Sequence, residues 1–179
     1  MKEYLWQLTS YIFISGIVIL LIELVLSIRW SRFYFIFGIP IYQHDEMVQS
    51  GIERVPTAEE IEAALPESGR RAPMLVRRID EYSFAFREKL FHFGISYSPV
   101  MHGYITCNPA TGQIVSRGYV NWYILVFSCY FLSFPLVLPI GQIAIVIPIC
   151  LMVMITYIFL MQKKRFRQVE DAVRTLCAR

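Results

Sequence analysis

The 45 residues from Gly118 to Gln162 contain no Asp, Glu, Lys, Arg or His. At about 1.5 Å of rise per residue, one straight helix of that length would be roughly twice as long as a bilayer core is thick. The stretch therefore has to fold back on itself. Leu138-Pro139-Ile140-Gly141-Gln142 marks the place, because proline and glycine interrupt helices and their freed backbone groups are tolerated at a water interface. The pattern predicts a transmembrane hairpin with helices over 119–138 and 142–161.

A second apolar stretch, Leu8 to Ile28, is broken by one charge, Glu23. It is long for the core of a signal peptide, and Ser27-Ile28-Arg29-Trp30 lacks the small residues of a cleavage site. It reads as a retained transmembrane helix with Trp6, Tyr11, Trp30 and Tyr34 as interface aromatics. The expected fold class is thus membrane α+β. Three transmembrane helices, one N-terminal and two in a C-terminal hairpin, carry an inserted small antiparallel β-sheet domain with one helix. The expected divisions are 1–30, the first membrane helix; 31–118, the β-rich domain; 119–162, the hairpin; and 163–179, a basic amphipathic tail.

Charge sets the expected orientation. Arg29 and Arg32 follow the first apolar stretch, Arg117 precedes the second, and Lys163, Lys164, Arg165 and Arg167 follow the third. With three spans all of these fall on one side, so the positive-inside rule puts the amino terminus outside and the domain and tail in the cytosol, at the plasma or inner membrane. The basic cluster reads as a membrane-surface anchor facing anionic lipid rather than a nucleic-acid site. Between Arg29 and Arg117, ten basic residues are balanced by ten acidic ones, so Arg70, Arg71, Arg77, Arg78, Arg87 and Lys89 read as a solvated face. Binding of lipid head groups there is the minority reading.

Within the domain, Phe33 to Tyr42 is aromatic and β-branched and reads as a strand, with Pro40 confining it to an edge or a bulge. Residues 43–55 lack periodicity and read as loop. Thr57 and Glu60 form a capping-box pattern that starts a helix, with Ile61, Ala64 and Leu65 on its apolar side and Pro66 ending it. Tyr82, Phe84 and Phe86 alternate with Ser83, Ala85 and Arg87, the period of a half-buried strand. Further strands are expected over 90–97, 100–107 and 113–119, with Asn108-Pro109-Ala110-Thr111-Gly112 as a hairpin loop. In the tail, Phe166, Val169, Val173 and Leu176 recur at helical spacing, a face for the membrane, the domain or a partner.

Candidate chemistry is sparse. Glu23 is expensive to insert into a membrane, and its depth matches Ser128 and Thr156 of the hairpin, so an interhelical polar contact among these three is expected. His44-Asp45-Glu46 has the look of a ligand set. No HxH, HExxH or CxxC spacing accompanies it or His92 and His102, so no metal or other cofactor is assigned. Positions 102 and 107 are an odd number of residues apart and should point to opposite faces of a strand. Cys107, Cys129, Cys150 and Cys177 have no paired spacing and read as free thiols. Neither a nucleophile elbow nor a phosphate-cradling glycine pattern is present, so no enzyme activity is assigned. The 13 Phe, 11 Tyr and 3 Trp offer many contact anchors. The expected function is therefore a non-enzymatic integral membrane protein, an accessory subunit or an inhibitor- or immunity-type protein. Its expected partners are membrane lipid and another protein or a second copy of itself. The alternatives are a small transporter or membrane-enzyme subunit using Glu23, and a lipid-sensing surface domain.

Overall fold

The computed structural model describes residues 2–47, 52, 54–66, 72–89, 100–137 and 143–178. Five helices flank one five-stranded sheet: α1 (Lys2–Ile28), α2 (Arg32–Ile36), β1 (Ile39–Met47), α3 (Ala58–Ala64), β2 (Met74–Asp80), β3 (Ser83–Glu88), β4 (Met101–Asn108), β5 (Gln113–Val120), α4 (Trp122–Val137) and α5 (Ile143–Cys177). The sheet is antiparallel throughout, in the order β1-β5-β4-β3-β2. β2 to β5 form a meander, and β1 joins it beside β5 as an edge strand. The expected antiparallel sheet with a small capped helix is therefore present.

By length and composition, Trp6–Ile28 of α1 could cross a membrane, and Trp122–Ser133 of α4 is a shorter apolar stretch. Among the described residues α1 is the one helix that meets the full length and hydropathy of a span. The expected turn over 138–142 and the strand over 90–97 lie outside the described residues, as do His92, Arg70 and Arg71.

Several local expectations change. The run from Phe33 to Phe37 is not strand: residues 32–36 form one helical turn, and Phe33 stacks on Phe37 at 4.9 Å, four residues on. Strand propensity lost there to tertiary contact, because Tyr34 and Phe35 are buried against the sheet. Conversely, residues 43–47 are strand, since β5 pairs with them through Met47↔Gln113. Pro40 sits where the register shifts, on the edge strand, as its missing N–H requires. Tyr82 belongs to the turn before β3 and is exposed.

In the tail, the amphipathic face meets the domain, one of its three expected places. α5 is one continuous helix of 35 residues. Its last half lies on the sheet, where Phe166, Val169, Val173 and Cys177 are fully buried with Phe84, Phe86, Ile105 and Ile114. Phe166 meets Phe86 edge to face at 4.7 Å. Gly103 has no side chain because the Phe86 ring occupies the place: a Cβ there would stand 2.2 Å from it. The opposite face of the sheet is smaller. Tyr34, Phe35 and Ala85 form its buried centre, with Leu26, Trp30, Ile79 and Tyr104 around them.

Three other local readings are observed. Thr57 accepts from the Glu60 amide and the Glu60 carboxylate accepts from the Thr57 amide, closing the capping box. Residues 109–112 turn β4 into β5, with Gly112 at φ 66°. His102 and Cys107 point to opposite faces, one toward Tyr34 and the other into the α5 core.

Candidate functional site

Two groups of polar side chains bind the helices to the sheet, and a third lies along its β1 edge. The first centres on Asn121, the residue between β5 and α4. By position it is the cap of α4, yet its Oδ1 accepts instead from the Tyr34 hydroxyl at 2.9 Å and from Nδ1 of His102 at 2.8 Å. Glu23 supplies the cap from another helix. Its carboxylate accepts from the Trp122 amide at 2.6 Å and the Tyr123 amide at 3.0 Å. A carboxylate there satisfies two of the amides a helix start leaves open, and it meets the positive end of the helix dipole.

Glu23 thus engages backbone at the head of α4. Ser128 lies further along that helix, and the Thr156 hydroxyl donates to the Met152 carbonyl of its own helix at 2.8 Å. The expected trio of Glu23, Ser128 and Thr156 gives way to a capping contact. Unpaired helix-start amides are a stronger demand on a buried carboxylate than hydroxyls that can bond within their own helix.

His102 is enclosed by Tyr34, stacked at 4.1 Å, and by Phe35 and Tyr119. Burial holds its pKa down at about 4, so the ring is neutral at physiological pH. Burial likewise raises the Tyr34 hydroxyl far above its ordinary value. Arg87, expected on a solvated face, is instead buried, with its guanidinium 4.8 Å over the Trp30 ring. Burial lowers its pKa. Trp30 takes φ 53°, ending α1 in the left-handed turn that glycine usually supplies.

The second group fastens α5. Gln162, fully buried, accepts from the amides of Val100 and Met101 at 3.0 and 3.2 Å and donates to Glu88 at 2.9 Å. Arg165 pairs with the other Glu88 oxygen. The basic cluster therefore divides. Arg165 turns inward, because residues 162, 165, 166, 169 and 173 share one side of the helix. Lys164 and Arg167 stay exposed, and Lys163 lies 5.7 Å over the Tyr42 ring.

The third group runs along β1. Tyr42, His44 and Glu46 alternate onto one face and meet α5. The Tyr42 hydroxyl donates to Glu170 at 2.7 Å, Nδ1 of His44 contacts the other Glu170 oxygen, and Arg174 pairs with Glu46 at 2.9 Å. Burial and the Glu170 carboxylate push the Tyr42 hydroxyl up to about 12. Of this group only His44 and Glu46 stood out in the sequence. Glu170 is more than a hundred residues away, and its helical spacing to Arg174 gives no sign of the strand it meets.

The outer side of β1 is the remaining feature. The strand is nine residues long, mostly exposed and, among the described residues, bonded on one side, to β5. Phe33, Phe37, Ile39, Ile41 and Met47 are exposed beside or along it. No family model matches the chain, and no match was found among curated proteins or solved structures.

Proposed function

We propose that the chain is an integral membrane interaction protein whose sheet domain binds another protein along β1. In this reading α1, α4 and the apolar half of α5 are three spans, with the amino terminus outside and the sheet and the end of α5 on the cytosolic surface. Arg29, Arg32, Arg117, Lys163, Lys164 and Arg167 sharing one side supports that orientation. The clamps at Glu23 and at Gln162 support a sheet held firmly at the bilayer surface, a fixed platform for a partner.

The observation that carries the reading is the edge of β1 that stands open among the described residues, with its exposed apolar side chains. A strand edge presents unpaired N–H and C=O groups to an incoming strand, and neighbouring apolar side chains add specificity. Glu23 engaged by two backbone amides supports a structural role for it over proton coupling.

Co-purification of the full chain in mild detergent tests this. A stoichiometric protein partner is expected, lost when Phe37→Ser and Met47→Lys are combined while the sheet still folds. A chain that purifies with no protein partner, or a double variant that keeps its partner, rejects the reading.

A further inference from the structure

The donor atoms of His44, Glu46 and Glu170 lie within 4.8 Å of one another. They come from two elements that the fold brings together independently of any metal. β1 supplies two ligands two residues apart on one face, and α5 supplies the third from a buried position. Ligands sharing one ion at about 2.0–2.2 Å stand roughly 3–4 Å apart. The two strand side chains are on the solvent side and have room to close that gap.

We propose that His44, Glu46 and Glu170 form a site for a divalent transition-metal ion of the zinc type. One imidazole favours borderline ions over magnesium or calcium, and two carboxylates balance a double positive charge. Three protein ligands leave coordination positions for water, as in open metal sites. The surroundings fit. The Tyr42 hydroxyl holds the second Glu170 oxygen and so orients the carboxylate. Ser116, the cross-strand partner of His44, has a buried hydroxyl without a hydrogen-bond partner, which a metal-bound water would satisfy.

Arg174 opposes binding. It holds one Glu46 oxygen at 2.9 Å, so the ion has to compete with a guanidinium. A seam that is only an ion-pair network has no reason to take up metal. A metal site restrained by Arg174 tightens when that residue loses its charge.

The test uses the untagged full chain in detergent, with Cys129→Ser and Cys150→Ser removing the two exposed thiols. Co2+ and Zn2+ are titrated by visible absorption and calorimetry, with Mg2+ as the control. One equivalent of Co2+ or Zn2+ is expected to bind, and Mg2+ is not. His44→Ala, at an exposed position, and Glu46→Gln, at a half-buried one, should each weaken binding at least about tenfold. Tyr42→Phe should weaken it by about tenfold, the usual effect of losing a residue that supports a ligand. Arg174→Gln should bind more tightly than the parent. The proposal is overturned if the parent takes up neither ion, if His44→Ala and Glu46→Gln bind like the parent, or if Arg174→Gln binds more weakly.

Discussion

The two faces of the sheet are held in different ways. Against α5 the centre of the contact is apolar: Phe84, Phe86, Ile105, Ile114, Phe166, Val169 and Val173 interdigitate, and polar groups flank it, Gln162, Arg165 and Glu88 on one side and Glu170, Tyr42 and Ser116 toward β1. Against α2 it is aromatic and polar at once: Tyr34, Phe35 and Trp30 surround His102, Asn121 and Arg87. The first face is stabilised by area and shape, which tolerate no added volume. The second depends on one asparagine oxygen shared by two donors, and thus on the protonation state of a histidine. The lesson is that the same sheet should answer to packing changes on one side and to pH on the other.

The largest effects should come from the face against α5. Phe86→Ala is expected to cost about 3–5 kcal/mol, the range for a buried aromatic. Gly103→Ala should cost about 1–3 kcal/mol or more, because the added Cβ meets the Phe86 ring. Combining Gly103→Ala with Phe86→Leu should cost less than the sum of the two single changes. Unfolding followed by tryptophan fluorescence in detergent measures all of these, and strict additivity would separate the two sites.

Next is the margin of that face. Arg165→Ala leaves the Glu88 carboxylate buried with Gln162, and breaking buried pairs typically costs about 3–5 kcal/mol. The remaining amide places this change toward the low end. A loss below about 1 kcal/mol, the range of exposed pairs, would mean that Arg165 belongs to the surface after all.

The polar face should reveal itself through pH. The folded pKa of His102 lies below its ordinary 6.5, at about 4, so the unfolded chain binds the extra proton first. The contribution is complete above pH 6.5 and is lost as pH falls toward 4. Its size is on the order of 3 kcal/mol. His102→Phe should flatten that part of the stability profile. An unchanged slope in the variant would place the titrating group elsewhere.

The smallest change is expected at Trp30→Gly. Glycine relieves the left-handed backbone but removes the stacking on Phe35 and the ring beneath Arg87. The relief is about 1–2 kcal/mol and the two lost contacts about 0.5–1.5 and 0.5–1 kcal/mol, so gain and loss nearly offset. A loss of several kcal/mol would show that the aromatic face depends on Trp30 far more than on Asn121.

What could be read from the sequence follows the range of the interaction. The capping box of α3 and the 108–112 turn are set by residues within a few positions of one another, and they are present; the strand at Phe84 and Phe86 is present too, but it is buried on both faces rather than half-buried. The helical turn at 32–36 was hidden because its residues favour strand and are overruled by the sheet beneath them. Glu23 stood out as an isolated charge, but its partners lie about a hundred residues on and are backbone amides, which no side-chain pattern reveals. Gln162 and Arg165 were legible in principle. They continue the spacing of Phe166, Val169 and Val173 toward the amino end, which marks them as inward-facing despite their polarity. The group at His44 needed the fold itself to bring Glu170 across.

The continuity of α5 past Pro148 couples the apolar part of the protein to its sheet. Residues 143–177 form a rod about 52 Å long at 1.5 Å per residue. Pro148, near its start, is where it can bend; beyond that point the helix runs unbroken into its sheet-bound half, so a tilt of one part is passed to the other. With α5 spanning the bilayer as proposed above, the tilt imposed by lipid thickness and the seating of the sheet become a single coordinate.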